Sequence, residues 1–137
     1  MADSNPVERY LSELARDIPD EDELTPPRDA LRAVVVIPAY DEFERLPDVI
    51  RSLEEASVAP ECFEVIVVVN NSDEAPDDKV EANQKTLDYL RSRVVTPFPL
   101  HALDRSSPDR AYRASDAGVG RARREGCDLA LRRLGLA

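Results

Sequence analysis

Two runs of β-branched residues constrain the fold of this chain more than any other feature. Residues 33–37 read AVVVI and residues 65–69 read VIVVV. A strand that is apolar at every position is buried on both faces, so these runs predict strands of a parallel sheet covered by helices. Each run ends abruptly at polar and turn-forming residues. Ligands of parallel sheets bind at that end, where the carboxyl ends of the strands open into loops.

Predicted helices alternate with the predicted strands along the chain. The strands cover residues 33–37, 64–69 and 100–103, and the helices cover residues 44–57, 78–91 and 117–134. The helical segments carry their apolar side chains at a period of 3.6 residues. This alternation predicts an α/β fold, a mostly parallel sheet that is flanked by helices and connected by right-handed crossovers.

The first 32 residues form two segments outside this sheet. Residues 1–17 carry apolar side chains at helical spacing, with Asn5 as a candidate cap and Pro6 in the first turn, which predicts a short amphipathic helix. Residues 18–32 are acidic and contain three prolines, which predicts a linker. Residues 33–137 then form the sheet domain, and this chain length is typical of one domain.

The charge of the chain is negative and unevenly distributed. A net charge of −10 argues against nucleic-acid binding, because phosphates would be repelled. Residues 1–30 hold nine acids and three arginines, whereas residues 105–137 hold eight arginines and four acids. The basic C-terminal part favours either a small anionic ligand or an ordinary solvated helix face.

The sequence predicts a cytoplasmic protein without a membrane span. No apolar run approaches the roughly 18 residues that a span requires. The N-terminus lacks the basic and apolar regions of a signal peptide. Cys62 and Cys127 are therefore expected to be reduced thiols, and with a single histidine in the chain they do not predict a zinc site.

The first strand ends in the sequence Pro38-Ala39-Tyr40-Asp41-Glu42. A proline removes a hydrogen-bond donor from the ladder, so the backbone beyond it can face a ligand. The tyrosine can stack on a planar base, and the two acids can accept hydrogen bonds from base or ribose groups. An ordinary strand end followed by an acidic helix start explains the same residues without a ligand.

The second strand ends in the parallel position with Asn70, Asn71, Ser72 and Asp73. An asparagine amide offers both a donor and an acceptor, which suits it to the edge of a base. A loop rich in Asx turns is the alternative interpretation. Polar ends on two adjacent strands favour a common binding site.

The last predicted helix begins with two glycines and a group of arginines. Residues 118–124 read GVGRARR, and the backbone near Gly120 together with the side chain of Arg121 is a candidate diphosphate site. The sixth position of the glycine pattern is Arg123, so a dinucleotide-binding fingerprint is not supported. A flexible helix start remains the alternative.

Two other polar features receive no functional role. Residues 20–22 (DED) lie in the acidic linker and read as a solvated charge run. His101 alternates with apolar neighbours, which predicts a strand residue on a half-exposed face.

Together, the motifs at the two strand ends and the glycine-containing helix start resemble those of the family 2 glycosyltransferases. That family opens with a strand ending in Pro-x-Tyr-Asn/Asp-Glu, which residues 38–42 match. Its second strand ends in an Asp-Asp/Asn-Gly/Ser-Ser type of sequence, to which residues 70–72 (NNS) are similar. A helix start rich in small and basic residues follows, as in residues 117–123.

The resemblance covers about residues 33–135 and implies a GT-A fold, whose nucleotide-binding half is a Rossmann-like sheet. It implies that the backbone of residues 38–40 and the ring of Tyr40 hold the base, that Glu42 lies near the ribose or phosphates, and that Asn70 reads the base edge. Asn70 replaces the aspartate that is usual in the family. The implied nucleotide-sugar site comprises Pro38, Ala39, Tyr40, Glu42, Asn70, Asn71, Gly120 and Arg121.

The resemblance also implies what a complete family member adds. The metal-binding Asp-x-Asp of the family, which holds Mg²⁺ or Mn²⁺, follows the next strand, and the catalytic base lies further on in the acceptor half. This sequence ends before either motif. We therefore expect a truncated, N-terminal nucleotide-binding part with no metal ligand and no catalytic residue of its own.

Two functional hypotheses follow from these observations. The first is the donor-binding half of a nucleotide-sugar-dependent glycosyltransferase that is inactive alone, with the missing acceptor half or a second copy as a protein partner. The alternative is a non-catalytic nucleotide-binding or interaction module, since a sheet cut after three strands has an unpaired edge. A flavodoxin-like receiver domain shares the element order but requires an aspartate where the second strand ends in asparagines.

Overall fold

The structure of the chain, a computed structural model, describes residues 5–13, 24–56, 59–92 and 95–135. The elements are α1 (Pro6–Glu13), β1 (Ala33–Ala39), α2 (Leu46–Ala56), a 3₁₀ turn (Pro60–Cys62), β2 (Phe63–Asn70), α3 (Asp77–Ser92), β3 (Leu100–Arg105) and α4 (Val119–Arg133). No helix in the described ranges is long and apolar enough to cross a membrane.

The described strands form one parallel sheet in the order β1-β2-β3. This confirms the predicted α/β class, and the arrangement corresponds to a Rossmann-like half-fold. Each strand continues past the predicted apolar run, so that Pro38, Asn70 and Arg105 all belong to strands. Backbone pairing, which apolar periodicity does not report, sets these limits.

Helices cover both faces of the sheet. On one face Val65, Val67 and Val69 pack with side chains of α2 and α3. On the other face Ile66 and Val68 pack with side chains of α4. Residues 65–69 of β2 are fully buried because β2 is the central strand, whereas residues 34–38 of β1 are half-buried because β1 is an edge strand.

The N-terminal helix α1 packs on α4. Asn5 caps α1, since its side-chain oxygen accepts a 3.0 Å hydrogen bond from the backbone nitrogen of Val7. The hydroxyl of Tyr10 donates to the carboxylate of Asp128 on α4 at 2.7 Å. The predicted helix over residues 1–17 is thus observed as Pro6–Glu13. Residues 14–17 and the acidic residues 20–22 lie outside the described part of the chain.

A buried charged cluster lies at the amino end of the sheet, opposite the strand ends that the sequence marks as functional. Glu64 at the start of β2 pairs with Arg133 of α4 and with His101 of β3. All three residues are buried. The expectation of a half-exposed face for His101 is wrong, because the ring is covered by the two partners, which are distant in sequence.

Candidate functional site

A cavity of about 500 Å³ opens at the carboxyl ends of β1 and β2, and its volume lies within the range of small-molecule sites. It is bounded by the ends of both strands, the loop after β2 and the start of α4. The lining residues are Pro38, Tyr40, Glu42, Asn70, Asn71, Ser72, Glu74, Ala75, Pro76, Ala117, Gly118 and Val119. Five of the predicted site residues therefore line a single cavity: Pro38, Tyr40, Glu42, Asn70 and Asn71.

The side chain of Asn70 lies across the ends of β1 and β2. The register pairs Ala39 with Val69, and the backbone nitrogen of Val65 donates to β3, so the odd-numbered residues of β1 face β2 and the nitrogen of Pro38 faces the outer edge of the sheet. The proline therefore removes no donor from the β1–β2 ladder. The side-chain nitrogen of Asn70 donates to the carbonyl oxygen of Val68 at 3.1 Å.

The amide of Asn70 has a fixed orientation for this reason. Its nitrogen also donates to the carbonyl oxygen of Ala39 at 3.2 Å, so both amide hydrogens are directed at backbone oxygens. The amide oxygen accepts no hydrogen bond from the described residues, while the residue itself lines the cavity. Asn70 can therefore present an acceptor, and only an acceptor, to a ligand.

Asn83 of α3 forms hydrogen bonds with the segments that end both β1 and β2. It is fully buried, and its side-chain nitrogen donates to the backbone oxygen of Asn70 at 2.8 Å and to the side-chain oxygen of Asn71 at 3.0 Å. Its side-chain oxygen accepts from the backbone nitrogen of Asp41 at 3.0 Å. The sequence reasoning missed this residue. The available signal was an asparagine on the buried stripe of α3, three positions after Val80 and four before Leu87.

The turn after β1 exposes the ring of Tyr40. Asp41 adopts a positive φ of 55°, which turns the chain sharply at this position. The carboxylate of Asp41 forms a 2.6 Å ion pair with Lys79 of α3 and holds the turn against that helix. Tyr40 remains 43% exposed and lines the cavity, so one wall of the site is an aromatic side chain open to a ligand.

The first turn of α4 forms another part of the cavity wall. The helix has Gly118 as its cap, with a φ of 143° and no side-chain hydrogen bond to the free backbone N–H groups. Gly118 and Val119 line the cavity. The charged lining residues are Glu42 and Glu74, and no lysine or arginine is among the described lining residues.

Three predicted site residues have a different placement. Ala39 is buried in the core, with 1% of its surface exposed, and Gly120 is exposed beyond the cavity. Arg121 is directed at α4 itself, where it pairs with Glu125 at 3.3 Å and lies over the ring of Tyr112 at 5.2 Å. These three residues do not line the cavity.

Tyr112 and Glu125 form a buried network behind the first turn of α4, which the sequence reasoning also missed. The tyrosine hydroxyl donates to the carboxylate at 3.0 Å, and Arg105 pairs with the same carboxylate at 2.8 Å. Burial and the adjacent carboxylate both raise the pKa of Tyr112 above its ordinary value of 10.0. The tyrosine is therefore neutral at physiological pH and acts as a fixed donor.

The described residues contain no cluster of metal-ligating side chains. Across residues 5–13, 24–56, 59–92 and 95–135, no group of three or more His, Cys, Asp or Glu side chains converges on one point. Mg²⁺ is commonly held by one or two carboxylates together with substrate phosphates and water. Glu42 and Glu74 are the carboxylates that line the cavity.

Replacing Asn70 with aspartate tests the role of its amide nitrogen. The carboxylate would face two carbonyl oxygens, so we expect the free energy of unfolding to fall by about 2 kcal/mol at neutral pH, as measured by urea denaturation. The loss should be smaller at acidic pH, where the protonated acid regains one donor. Asn5→Asp is the matched control, because there the side-chain oxygen makes the hydrogen bond and aspartate caps equally well. Equal effects of the two substitutions would contradict this role.

Comparison with known proteins identifies no relative of this chain. No protein-family model, no curated protein and no solved structure matches the chain.

Proposed function

We propose that the cavity binds the nucleoside of a nucleotide sugar and that the chain is the donor-binding part of a glycosyltransferase. The observation that supports this most is that Tyr40 and Asn70, which come from adjacent strands, line the same cavity. An exposed aromatic ring beside an oriented hydrogen-bond acceptor is an arrangement that suits a heterocyclic base. The resemblance in the strand-end motifs supports the same ligand class.

The fixed amide of Asn70 favours particular bases. Because its nitrogen is used by Val68 and Ala39, only its oxygen is available to the ligand. Uracil and guanine carry a ring N–H that can donate to such an oxygen, whereas adenine and cytosine offer it only an exocyclic amino group beside a ring acceptor that the oxygen would repel. The proposal therefore favours uridine or guanosine diphosphate sugars, with the base stacked on Tyr40.

The diphosphate is proposed to lie at the start of α4. Free backbone N–H groups and the helix dipole favour an anion there, and Gly118 provides no side chain to obstruct its approach. Glu42 and Glu74 oppose phosphate binding, because both carboxylates line the same cavity. We therefore expect weak binding of nucleoside diphosphates by this chain.

Sugar transfer requires more than donor binding. The bond from the sugar to the diphosphate must break while an acceptor hydroxyl, deprotonated by a base, forms the new bond. None of the predicted site residues is assigned to the metal-binding Asp-x-Asp of the resembled family. We expect the chain alone to bind donor without turnover.

Isothermal titration calorimetry with four nucleoside diphosphates tests the binding proposal. UDP or GDP should bind more tightly than ADP and CDP. Tyr40→Ala should weaken that binding at least fivefold, because base stacking on an aromatic side chain contributes about 1–3 kcal/mol. Asn70→Asp gives a side chain that only accepts hydrogen bonds at neutral pH and can donate one only when it is protonated at acidic pH. The substitution should therefore not improve binding at neutral pH.

Phe43→Ala is the matched control for the aromatic substitution. Phe43 is exposed to a similar extent, 37%, and lies in the same turn, but it does not line the cavity. Its removal should leave affinity unchanged. The absence of binding for all four nucleotides, or an equal loss from the two substitutions, would contradict the proposal. Metal-dependent turnover of a UDP-sugar or GDP-sugar by the chain alone would contradict its inactivity.

A further inference from the structure

The amide nitrogens at the carboxyl end of β2 are already used within the protein. That of Asn70 donates to the backbone oxygens of Ala39 and Val68. The amide nitrogen of Asn71, which lines the same cavity, donates to the backbone oxygen of Ser72 at 2.9 Å and to that of Ser106 at 3.5 Å. Both asparagines are buried. A ligand in the cavity therefore receives no hydrogen bond from either amide nitrogen.

The polar side chains that remain available in the cavity are mainly hydrogen-bond acceptors. The amide oxygen of Asn70 accepts no hydrogen bond from the described residues. Glu42 and Glu74 line the same cavity, and neither carboxylate forms an ion pair within the described ranges. Among the described lining residues, the hydroxyl groups of Tyr40 and Ser72 are the side-chain groups that can still donate. The cavity thus suits a base that is rich in donors.

Uracil and guanine differ in what they require beside an acceptor such as the oxygen of Asn70. The ring N–H of uracil lies between two carbonyl oxygens, so the protein groups on either side of the acceptor have to donate. The ring N–H of guanine lies beside an exocyclic amino group, so two neighbouring groups of this base donate together. A carboxylate next to Asn70 would accept from the guanine amino group but would repel a carbonyl oxygen of uracil.

We propose that the cavity selects guanine over uracil, so that the donor is a guanosine diphosphate sugar. The amide oxygen of Asn70 accepts from the ring N–H, and a carboxylate of the cavity, Glu42 or Glu74, accepts from the exocyclic amino group. The specificity comes from this charge-assisted hydrogen bond and from the repulsion that the same carboxylate exerts on uracil. The inference rests on the proposed binding of a nucleoside in this cavity and adds the identity of the base.

Isothermal titration of the whole chain with GDP, UDP and inosine diphosphate tests this specificity. Inosine diphosphate retains the ring N–H of GDP but lacks the exocyclic amino group. GDP should bind at least about tenfold more tightly than UDP. It should bind about fivefold more tightly than inosine diphosphate, because the cavity carboxylate then loses its donor.

The double variant Glu42→Gln with Glu74→Gln tests the source of the selectivity. A glutamine amide accepts more weakly than a carboxylate and can also donate, so the ratio of the GDP and UDP affinities should fall to about threefold or less. Both nucleotides carry the same diphosphate, so the effect of the lost charges on phosphate binding cancels in this ratio. Glu44→Gln with Glu55→Gln is the matched control, because it removes two exposed carboxylates that do not line the cavity.

The control variant should keep the wild-type ratio, and circular dichroism should confirm that both double variants are folded. Equal affinities of the wild type for GDP and UDP, or a preference for UDP, would overturn this inference and leave the proposed nucleotide binding intact. An unchanged ratio in the variant of Glu42 and Glu74 would also overturn it, because the selectivity would not come from these acceptors. The absence of binding for all three nucleotides would overturn the proposed function together with this inference.

Discussion

Replacing Arg133 with methionine is expected to lower the free energy of unfolding by about 3–5 kcal/mol, because it leaves a buried carboxylate without its cation. The side chains of Arg133 and Glu64 are each 1% exposed. The guanidinium donates to both carboxylate oxygens of Glu64 and, at 2.7 Å, to the backbone oxygen of Thr25. Methionine fills similar space but donates no hydrogen bond, so among the described residues Glu64 would retain only His101 as a side-chain partner.

The neighbouring arginine provides the control for this substitution. Arg132 lies on the same turn of α4 and is exposed, so Arg132→Met should change the free energy of unfolding by no more than about 0.5 kcal/mol. The double variant Glu64→Leu with Arg133→Met should recover most of the lost stability, because neither charge of this pair then remains buried. Urea denaturation of the wild type, the two arginine variants and the double variant measures these free energies of unfolding. Similar losses from the two arginine substitutions would show that the pair does not stabilise the fold.

The same pair predicts how stability depends on pH. Burial favours the neutral acid, but hydrogen bonds from His101 and Arg133 and the charge of Arg133 outweigh it and lower the pKa of Glu64 from 4.5 to about 2. The folded state binds the proton of Glu64 less tightly than the unfolded chain does. The stabilisation that ionised Glu64 contributes is therefore fully present above pH 4.5. It is lost as the pH falls from 4.5 toward 2. Stability of Arg133→Met should decrease less over this interval.

Replacing Gly126 with alanine should destabilise the protein by about 3 kcal/mol through overpacking, even though alanine is the better helix former. Gly126 lies where α4 crosses the sheet. A Cβ atom there would lie 2.3 Å from Cγ1 of Val36 and 3.0 Å from Cγ2 of Val68. Both valines are β-branched and stiff, so α4 must move away from β1 and β2. Thermal and urea unfolding measure the loss.

The same helix supplies a control of opposite sign. A Cβ atom at Gly120 would have no neighbour within 4 Å, so Gly120→Ala should increase stability by up to about 1 kcal/mol, as expected from helix propensity. Adding Val36→Ala to Gly126→Ala removes the atom in closest contact and should restore part of the stability. A neutral Gly126→Ala substitution would show that the helix does not pack on the sheet at this distance.

Local sequence patterns were sufficient to predict the main elements. The β-branched runs of β1 and β2 have one side-chain environment along their length, and the helices repeat their apolar residues regularly, so each pattern has a direct structural cause. The strand ends were placed at one edge of one sheet because parallel strands share their direction. The convergence of Tyr40 and Asn70 on one cavity follows from that geometry.

Contacts between distant segments were not predictable in this way. Glu64 and Arg133 are separated by 69 positions, and Glu64 and His101 by 37, so no local pattern marks them as partners. The pattern predicts a half-exposed face for His101 because the residue alternates with apolar neighbours. The ring is instead buried, because Glu64 and Arg133 cover it. Asn83 likewise has a polar role on a helix face that otherwise packs apolar residues.

By itself, the sequence determined the α/β class, the order of the elements and the edge of the sheet at which polar residues gather, because these depend on periodicity and strand direction. Only the tertiary structure decided what Asn70 can offer a ligand. The register of β1 and β2 places the carbonyl oxygens of Ala39 and Val68 beside the side-chain nitrogen of Asn70. That register is a property of two strands together, and it commits the amide nitrogen to the backbone while leaving the oxygen at the cavity.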